Sequence, residues 1–402
     1  MGLKENFRSL SDKKVRNFVL LQIFYNGMVA ILTLFINTFL LQSYGSSSPE
    51  VLFYNLIQAI VTPVAMITSF TLSRKKSFLF TQRMGFLFYG IALVVLCVWG
   101  ERVAFLYPLF AILISFGAGY YFGIYSVQTI SYTTDDNRDL VQGVMSAICS
   151  IVSLVLPLLA GYLITSCGEF TGYRIVFGIE AIIALGALFI TTRLSSIGKN
   201  ESETSFLTIF KTIVKDKNGI KIMIANGLDN CRGFTISFYI TILIYRFIQD
   251  EFLIGLNSSI GSVVAILGAA LYGVIVNKEN RLRSIVVSVA LVLAVCALMF
   301  FELNVYVLIV FYAAYSMTSI YMATPVLNTH FRVMESFEEF SGMGAQVHAV
   351  RELFVTAGRI IGILMILFIP QNTIGVVITL SVIMSMPAVN ALLVRSIEKN
   401  MD

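Results

Sequence analysis

The side chains best able to do chemistry lie close together near the C-terminal end, in the stretch QVHAVRELFVTAGR at positions 346–359. The ionisable members of this stretch are His348, Arg351, Glu352 and Arg359. They interrupt a run at 341–368 that otherwise reads as one apolar helix, and helical spacing places His348, Glu352 and Arg359 near one face. A charge at mid-depth in a bilayer costs at least ~2.5–3.5 kcal/mol, so these charges should face the protein interior. They mark a transport or binding site, or a structural salt bridge between helices.

The composition indicates which class of protein contains this stretch. The chain has 402 residues, of which 57% are hydrophobic and 13% are charged, whereas soluble proteins have about 25% charged residues. Its apolar runs are about 20 residues long and do not alternate with period two, which predicts an all-α polytopic membrane protein and excludes a β-barrel. The cysteines show no metal-site or disulfide spacing. We therefore expect no metal, no cofactor and no nucleic-acid partner.

Twelve apolar stretches are long enough to cross a bilayer. Their approximate ranges are 17–41, 51–72, 78–99, 104–129, 142–166, 174–193, 220–247, 252–276, 284–302, 304–326, 341–369 and 373–394. Basic residues gather before the first stretch and after every even-numbered one, whereas the opposite side receives only Arg102, Arg174 and Arg246. By the positive-inside rule, both termini and the long middle loop should be cytoplasmic, in a multi-pass protein of the plasma membrane.

The twelve stretches form two sets of six that resemble each other. The only long polar connection predicts an N-terminal bundle at 1–193, a cytoplasmic linker at 194–219 and a C-terminal bundle at 220–402. Asn26-Gly27 in the first span corresponds to Asn226-Gly227 in the seventh, at the same place within its half. Paired halves of this kind are typical of transporters built from structural repeats.

Short basic turns follow the second and eighth spans. The second copy, from Gly273 through Asn277 and Lys278 to Arg281, resembles the Gly-x-x-x-Asp-Arg-x-x-Arg-Arg loop signature of the major facilitator superfamily. The first copy is degraded but keeps Arg74 and Lys75. The resemblance implies that these loops switch their ionic contacts during transport. The candidate switch residues are Arg74, Lys75, Gly273, Asn277, Lys278 and Arg281.

Two further stretches resemble the same family. Gly117, Gly119 and Gly123 form a small-residue face in the fourth span, which should allow close helix approach. Pro157 and Gly161 in the fifth span match part of a kink motif found in the family's exporters. The resemblance implies twelve helices in two six-helix halves and is strongest to bacterial proton-coupled exporters.

Six ionisable residues lie deep inside the predicted spans, three acidic and three basic: Glu180, Asp229, Arg232, Arg351, Glu352 and Arg359. They can simply neutralise one another, as Asp229 and Arg232 could at a spacing of three. Alternatively, one carboxylate exchanges protons as the cavity opens. Glu352 is the first candidate and Asp229 the second, whereas Glu180 lies nearer the predicted outer end of its span. His348 is a candidate proton relay.

Polar and aromatic residues of the spans could line a substrate site, although most aromatic residues must be core or lipid-facing. The binding candidates are Arg351, Arg359, Arg232, Asn26, Tyr25, Asn226, Tyr121, Tyr125 and Tyr315. Their expected partners are a small-molecule substrate, protons and the lipid bilayer, and we expect the chain to act as a monomer.

An enzyme interpretation rests on one stretch. Residues 135–139 read DDNRD, which fits the magnesium-diphosphate pattern of prenyl-transferring enzymes, in a predicted polar turn without a matching second acidic cluster. We therefore expect a transporter rather than an enzyme: a secondary active one, exporting a small amphiphilic compound in exchange for protons. The alternatives are uptake or exchange of a small anion, flipping of an anionic lipid and, most remotely, a membrane prenyltransferase.

Overall fold

The computed structural model describes residues 12–45, 49–197, 206–277, 279–337 and 344–401. All regular secondary structure in these ranges is helical. The α-helices are α1 Lys13–Tyr44, α2 Glu50–Lys75, α3 Phe78–Trp99, α4 Tyr107–Tyr132, α5 Asp135–Cys167, α6 Glu169–Arg193, α7 Phe206–Lys215, α8 Lys217–Ile248, α9 Glu251–Ile275, α10 Arg281–Leu298, α11 Val305–Glu335, α12 Gly344–Phe368 and α13 Thr373–Met401. A 3-10 helix, Gly100–Leu106, joins α3 to α4.

The twelve-span prediction is confirmed, because within the described ranges every helix except α7 corresponds to a predicted span. Ten described segments are apolar enough to cross a membrane, and one of these, Phe78–Thr129, covers both α3 and α4. Helix α12 is not among the ten, since every membrane-length window of it contains Arg351, Glu352 and Arg359. Helices suit this environment because each satisfies its backbone hydrogen bonds internally.

Several helices begin at polar caps, which define their ends better than hydropathy does. The side chain of Asp12 accepts a hydrogen bond from the Lys14 backbone at 2.9 Å at the start of α1. Asp216 accepts one from Gly219 at 2.6 Å at the start of α8. Such caps satisfy backbone N–H groups that have no partner within the helix.

The chain divides into two compact units. The first contains Met1–Ser202 and Asp250–Ser259, and the second contains Glu203–Gln249 and Ile260–Asp402. The predicted boundaries of the two bundles and of the linker at 194–219 stay predictions. The polar connection predicted there contains α7, which sequence analysis missed although its apolar residues recur every three or four positions. Helix α7 belongs to the second unit, and its Ile209 and Ile213 are fully buried against other helices of that unit.

Helix pairing inside each unit follows a common pattern. In the first unit α1 packs on α5 and α6, and α3 packs on α4 and α6. In the second unit α8 packs on α12 and α13, and α10 packs on α11 and α13. These are the same four pairings when helices are counted within each half, which agrees with the repeat inferred from Asn26-Gly27 and Asn226-Gly227.

The small-residue face of α4 allows the predicted close approach. A Cβ on Gly119 would lie 2.6 Å from Ala65 Cβ and 2.8 Å from the backbone nitrogen of Met66, both on α2. A Cβ on Gly85 of α3 would lie 3.2 Å from the carbonyl oxygen of Gly117. The absence of side chains at these positions therefore brings α2 and α3 against α4.

Candidate functional site

A close crossing of α8 and α12 positions the buried charges of the second unit. A Cβ on Gly358 would collide with the carbonyl oxygen of Gly227, and one on Gly227 would lie 2.8 Å from the carbonyl oxygen of Phe354. Because Asp229 follows Gly227 by two residues and Arg359 follows Gly358 directly, the crossing brings charges of both helices together. We call the following residues the charged cluster: Asn226, Asp229, Arg232, His330, His348, Arg351, Glu352 and Arg359.

Two ion pairs stabilise the charged cluster, each formed within one helix. Arg359 Nη1 donates to Glu352 Oε1 at 2.7 Å, and Arg232 Nη2 donates to Asp229 Oδ1 at 2.6 Å. The pairing of Asp229 with Arg232 confirms what their spacing allows. Both pairs are intrahelical, which corrects the alternative of an interhelical salt bridge for Glu352. The contact between helices is instead a hydrogen bond from Arg351 Nε to Asn226 Oδ1 at 2.6 Å.

The cluster has more positive than negative groups. The six ionisable residues predicted deep inside the spans are three acidic and three basic, but Glu180 belongs to the first unit. In the described part of the charged cluster, three arginines therefore face two carboxylates. Protonation of either histidine would only add positive charge. The six residues balance over the whole chain, whereas the charged cluster of the second unit has an excess of one positive charge.

Several guanidinium nitrogens in the cluster donate no hydrogen bond to any described residue. These buried atoms are Nε and Nη1 of Arg232 and Nε of Arg359. Arg232 is only 2% exposed. Aromatic rings lie beside both guanidinium groups, with Tyr315 at 5.4 Å from Arg232 and Phe234 at 5.3 Å from Arg359. Such cation–π contacts stabilise the charge but do not replace hydrogen bonds.

Both histidines contribute to the cluster, although sequence analysis considered only His348. His330 is buried, and its Nδ1 lies 3.4 Å from Asn226 Nδ2. The tenth span was predicted to end at 326, whereas α11 continues to Glu335. The sequence does indicate a longer helix, since His330 follows the apolar Val326 by one helical turn. Asn226 thereby connects His330 of α11 with Arg351 of α12.

The binding candidates of the first unit gather around stacked tyrosines. The rings of Tyr25 and Tyr121 are stacked with centroids 3.3 Å apart, and Tyr121 Oη donates a hydrogen bond to Gln22 Oε1. Tyr125 Oη donates to Gln142 Oε1 at 3.3 Å. Gln22 was not among the predicted site residues, although it lies one helical turn before Asn26.

Asn26 itself is less available than predicted. Its Nδ2 donates to the Gln22 carbonyl oxygen at 2.8 Å, as Asn226 Nδ2 does to the Ile222 carbonyl oxygen at 2.7 Å. The two asparagines therefore repeat the same local contact in the two units. The side-chain oxygen distinguishes Asn226, because its Oδ1 also accepts the hydrogen bond from Arg351.

The position of Glu180 corrects the sequence analysis. It was placed nearer the outer end of its span, but α6 begins at Glu169, so Glu180 lies close to the middle of the helix. It is 0% exposed, and neither carboxylate oxygen has a hydrogen-bond partner of normal geometry among the described residues. A buried ionised carboxylate without such partners is costly.

The basic turns lie at helix ends, as predicted. Arg74 and Lys75 are in the last turn of α2, and Gly273 lies near the end of α9. Asn277 Oδ1 accepts hydrogen bonds from the backbone of Glu279 and Asn280 at 3.1 and 3.0 Å.

Ionic contact at the second turn is made by Arg281, which pairs with Glu398 of α13. This interaction connects α10 with α13 inside the second unit. Lys278 lies outside the described residues. The predicted switching of these contacts is untested by a single conformation and stays a prediction.

The acidic stretch at 135–139 is not a turn. Helix α5 begins at Asp135, and Asn137 Oδ1 accepts a hydrogen bond from the Thr134 backbone at 2.8 Å in a capping box. The described residues contain no cluster of three or more potential metal ligands. The stretch thus begins a helix.

Twelve long helices in two similar units, with ion pairs buried among apolar helices, define a polytopic membrane transporter. Residues 18–347 match the family model of the Major Facilitator Superfamily. The chain therefore belongs to that superfamily, and it is a transporter of a small molecule rather than an enzyme.

One relative of known sequence is similar over most of the chain, and a second is similar over a shorter part. Uncharacterized protein YqgE of Bacillus subtilis (strain 168) is 22% identical over 364 residues, covering 89% of this chain and 84% of the relative. An uncharacterized protein in the sodM 3'region of Geobacillus stearothermophilus is 25% identical over 154 residues, covering 38% of this chain and 72% of that protein.

Solved structures share the fold over nearly the full length. A bacterial homologue of the iron transporter ferroportin, in an inward-facing state, has a TM-score of 0.71 at 13% identity, covering 99% of each chain. A structure from a study of proton-dependent oligopeptide transporters has a TM-score of 0.70 at 12% identity, covering 96% of this chain and 99% of the other. At these identities the similarity establishes the fold alone.

Proposed function

We propose that the protein is a proton-coupled secondary transporter of the plasma membrane, which moves a small amphiphilic compound by alternating access. Both termini are cytoplasmic in this proposal, and one chain suffices for transport. Membership of the superfamily and the paired units support alternating access. The buried ionisable groups support coupling to protons.

The observation that carries the proposal is the pairing of Glu352 with Arg359. Glu352 is only 8% exposed, and among the described residues its ion pair uses a single N–H group of Arg359. A proton on Glu352 removes the negative charge and frees Arg359, whereas loss of the proton restores the pair. Protonation thus changes the charge of the second unit's interior by one, which is the kind of change that can couple proton movement to conformation.

Glu180 is the second proposed proton-carrying group, and it belongs to the other unit. No described residue donates a hydrogen bond of normal geometry to either of its carboxylate oxygens. The protonated form avoids the cost of burying an unpaired charge. Asp229 remains a third candidate, since its pairing with Arg232 is equally close.

Two directions of transport are proposed, export and uptake. Export in exchange for protons is supported by the resemblance of Pro157 and Gly161 to part of the exporters' kink motif. Uptake together with protons is favoured by the excess positive charge of the charged cluster, because an anion binds more easily after a proton has neutralised Glu352. Flipping of an anionic lipid would use the same cations.

Proton coupling is tested with purified protein in liposomes that contain trapped pyranine. A gradient of phenyl phosphate or of benzyltrimethylammonium is imposed, and the internal pH is followed. We expect one of these gradients to move protons through the wild-type protein and not through Glu352→Gln. Protons moving with the probe indicate symport, and protons moving against it indicate antiport. Absence of probe-driven proton movement with both probes would reject proton coupling.

A further inference from the structure

The charged cluster has the chemistry of an anion site. We propose that it binds the anionic group of the transported substrate, a carboxylate or a phosphate, through Arg351 together with the free N–H groups of Arg232 and Arg359. The inference rests on the proposed transport function and specifies the class of its substrate.

The first support is the charge of the cluster. Arg232 and Arg359 each have a carboxylate partner, whereas the hydrogen bond of Arg351 goes to the neutral amide of Asn226. Arg351 precedes Glu352 directly in α12, and its partner Asn226 lies three residues before Asp229 in α8. A third cation without a carboxylate of its own is costly in a membrane interior. An anionic ligand would supply the missing charge.

The second support is the set of unused donors. Arg232 is 2% exposed, and its Nε and Nη1 are buried and donate to no described acceptor; Nε of Arg359 is in the same situation. Leaving buried charged donors without acceptors destabilises the folded protein. Carboxylate and phosphate oxygens suit guanidinium donors, whereas a cationic or purely apolar ligand leaves them unsatisfied.

The third support concerns the rest of the substrate. Phe234 and Tyr315 lie beside the same guanidinium groups at 5.3 and 5.4 Å, so apolar surface adjoins the free donors. A ligand that satisfies both features carries an apolar body next to its anionic group. The proposed class is therefore small organic anions, and an anionic lipid headgroup shares that chemistry.

The test measures ligand-dependent melting of the full-length protein in phosphatidylcholine nanodiscs. The probes are benzoate and phenyl phosphate, compared with the neutral benzyl alcohol and the cationic benzyltrimethylammonium. A ligand that binds the folded protein raises its melting temperature. We expect a saturable rise with at least one anion and none with the neutral or cationic probe. Equal stabilisation by the cation, or no response to either anion in any lipid, would overturn the proposal.

Substitutions identify the residues on which the ligand-dependent rise in melting temperature depends. Arg351→Gln removes the arginine that has no carboxylate partner among the described residues, and we expect the apparent affinity of this variant for the anion to fall by about 10-fold or more. Arg246→Gln removes an arginine from the same helix as Arg232 and should leave the response unchanged. If Arg351→Gln does not fold, the double variant Glu352→Gln/Arg359→Gln removes one donor group without changing the net charge, and the same weakening is expected. Unchanged affinity in the folded variant would exclude the cluster.

A lipid source is distinguished by the bilayer. Replacement of phosphatidylcholine by phosphatidylglycerol should raise the melting temperature in an Arg351-dependent manner if the anionic group belongs to a lipid. The two proposals fail separately, because binding is measured without a pH gradient. Anion binding with unimpaired proton movement in Glu352→Gln would reject the coupling residue alone, and coupling without anion binding would reject the anion site alone.

Discussion

Gly358 of α12 and Gly227 of α8 cross so closely that a Cβ on Gly358 would occupy the space of the Gly227 carbonyl oxygen. This contact is what brings the ion pairs of two helices into one cluster. The hydrogen bond from Arg351 to Asn226 lies beside this crossing, because Asn226 precedes Gly227 directly.

Gly358→Ala should therefore lower the free energy of unfolding by about 1–3 kcal/mol, because the added methyl group forces the two helices apart. Thermal melting in detergent measures the change. Gly233→Ala on α8 is the matched control, since a Cβ there meets nothing within 4 Å, and alanine favours the helix by roughly 0.5–1 kcal/mol. Equal melting temperatures for the two variants would contradict the close crossing.

Glu352→Gln should abolish proton-driven movement while the folded protein still binds its ligand. The reason is that glutamine keeps the size of the side chain but cannot exchange a proton. The single variant leaves Arg359 unpaired, and if the pair is only structural this costs about 3–5 kcal/mol.

The double variant Glu352→Gln/Arg359→Gln separates these roles. It removes both charges, so its melting temperature should recover relative to the single variant while coupling stays absent. Recovery of proton-driven movement together with stability would assign the pair a purely structural role and pass coupling to Glu180 or Asp229.

Glu180→Gln should leave the melting temperature unchanged or raise it slightly, because the neutral amide resembles the protonated carboxyl in a site with no described donor of normal geometry. Transport driven by a pH gradient should fall if Glu180 carries a proton. Thermal melting and liposome transport are measured side by side. A large loss of stability would show that Glu180 is ionised and held by a partner, against the proposal.

The topology is tested by cysteine labelling in intact cells, after replacement of the native cysteines at five positions. Ser196 follows the sixth span and Glu302 lies between the ninth and tenth, both exposed. A membrane-impermeant maleimide should label Glu302→Cys from outside and reach Ser196→Cys only after permeabilisation. The reverse pattern would invert the proposed orientation.

The number and type of helices are properties of the sequence alone. A bilayer requires about 20 consecutive apolar residues with all backbone hydrogen bonds satisfied inside the segment, so apolar runs identify the spans. The pairing of Asp229 with Arg232 is equally local, because residues three apart on a helix are neighbours whatever surrounds them. These predictions needed no knowledge of tertiary contacts.

The ends of the helices were predicted less accurately than their number. Where a helix continues beyond the apolar region, hydropathy no longer marks its end, which is why His330 fell outside a predicted span and Glu180 was placed too far from the middle of its helix. The short helix α7 was missed because it lies in a polar connection and its ten residues are too few to cross a bilayer, although Phe206, Ile209, Phe210 and Ile213 recur at helical spacing.

Only the tertiary structure decided how the charges are distributed. In a membrane protein both the lipid-facing and the buried sides of a helix are apolar, so composition does not specify which faces meet. The sequence therefore could not predict that Arg351 binds Asn226 across the α8–α12 crossing. That crossing depends on two glycines 131 positions apart, and it brings the three arginines and two carboxylates of the charged cluster together.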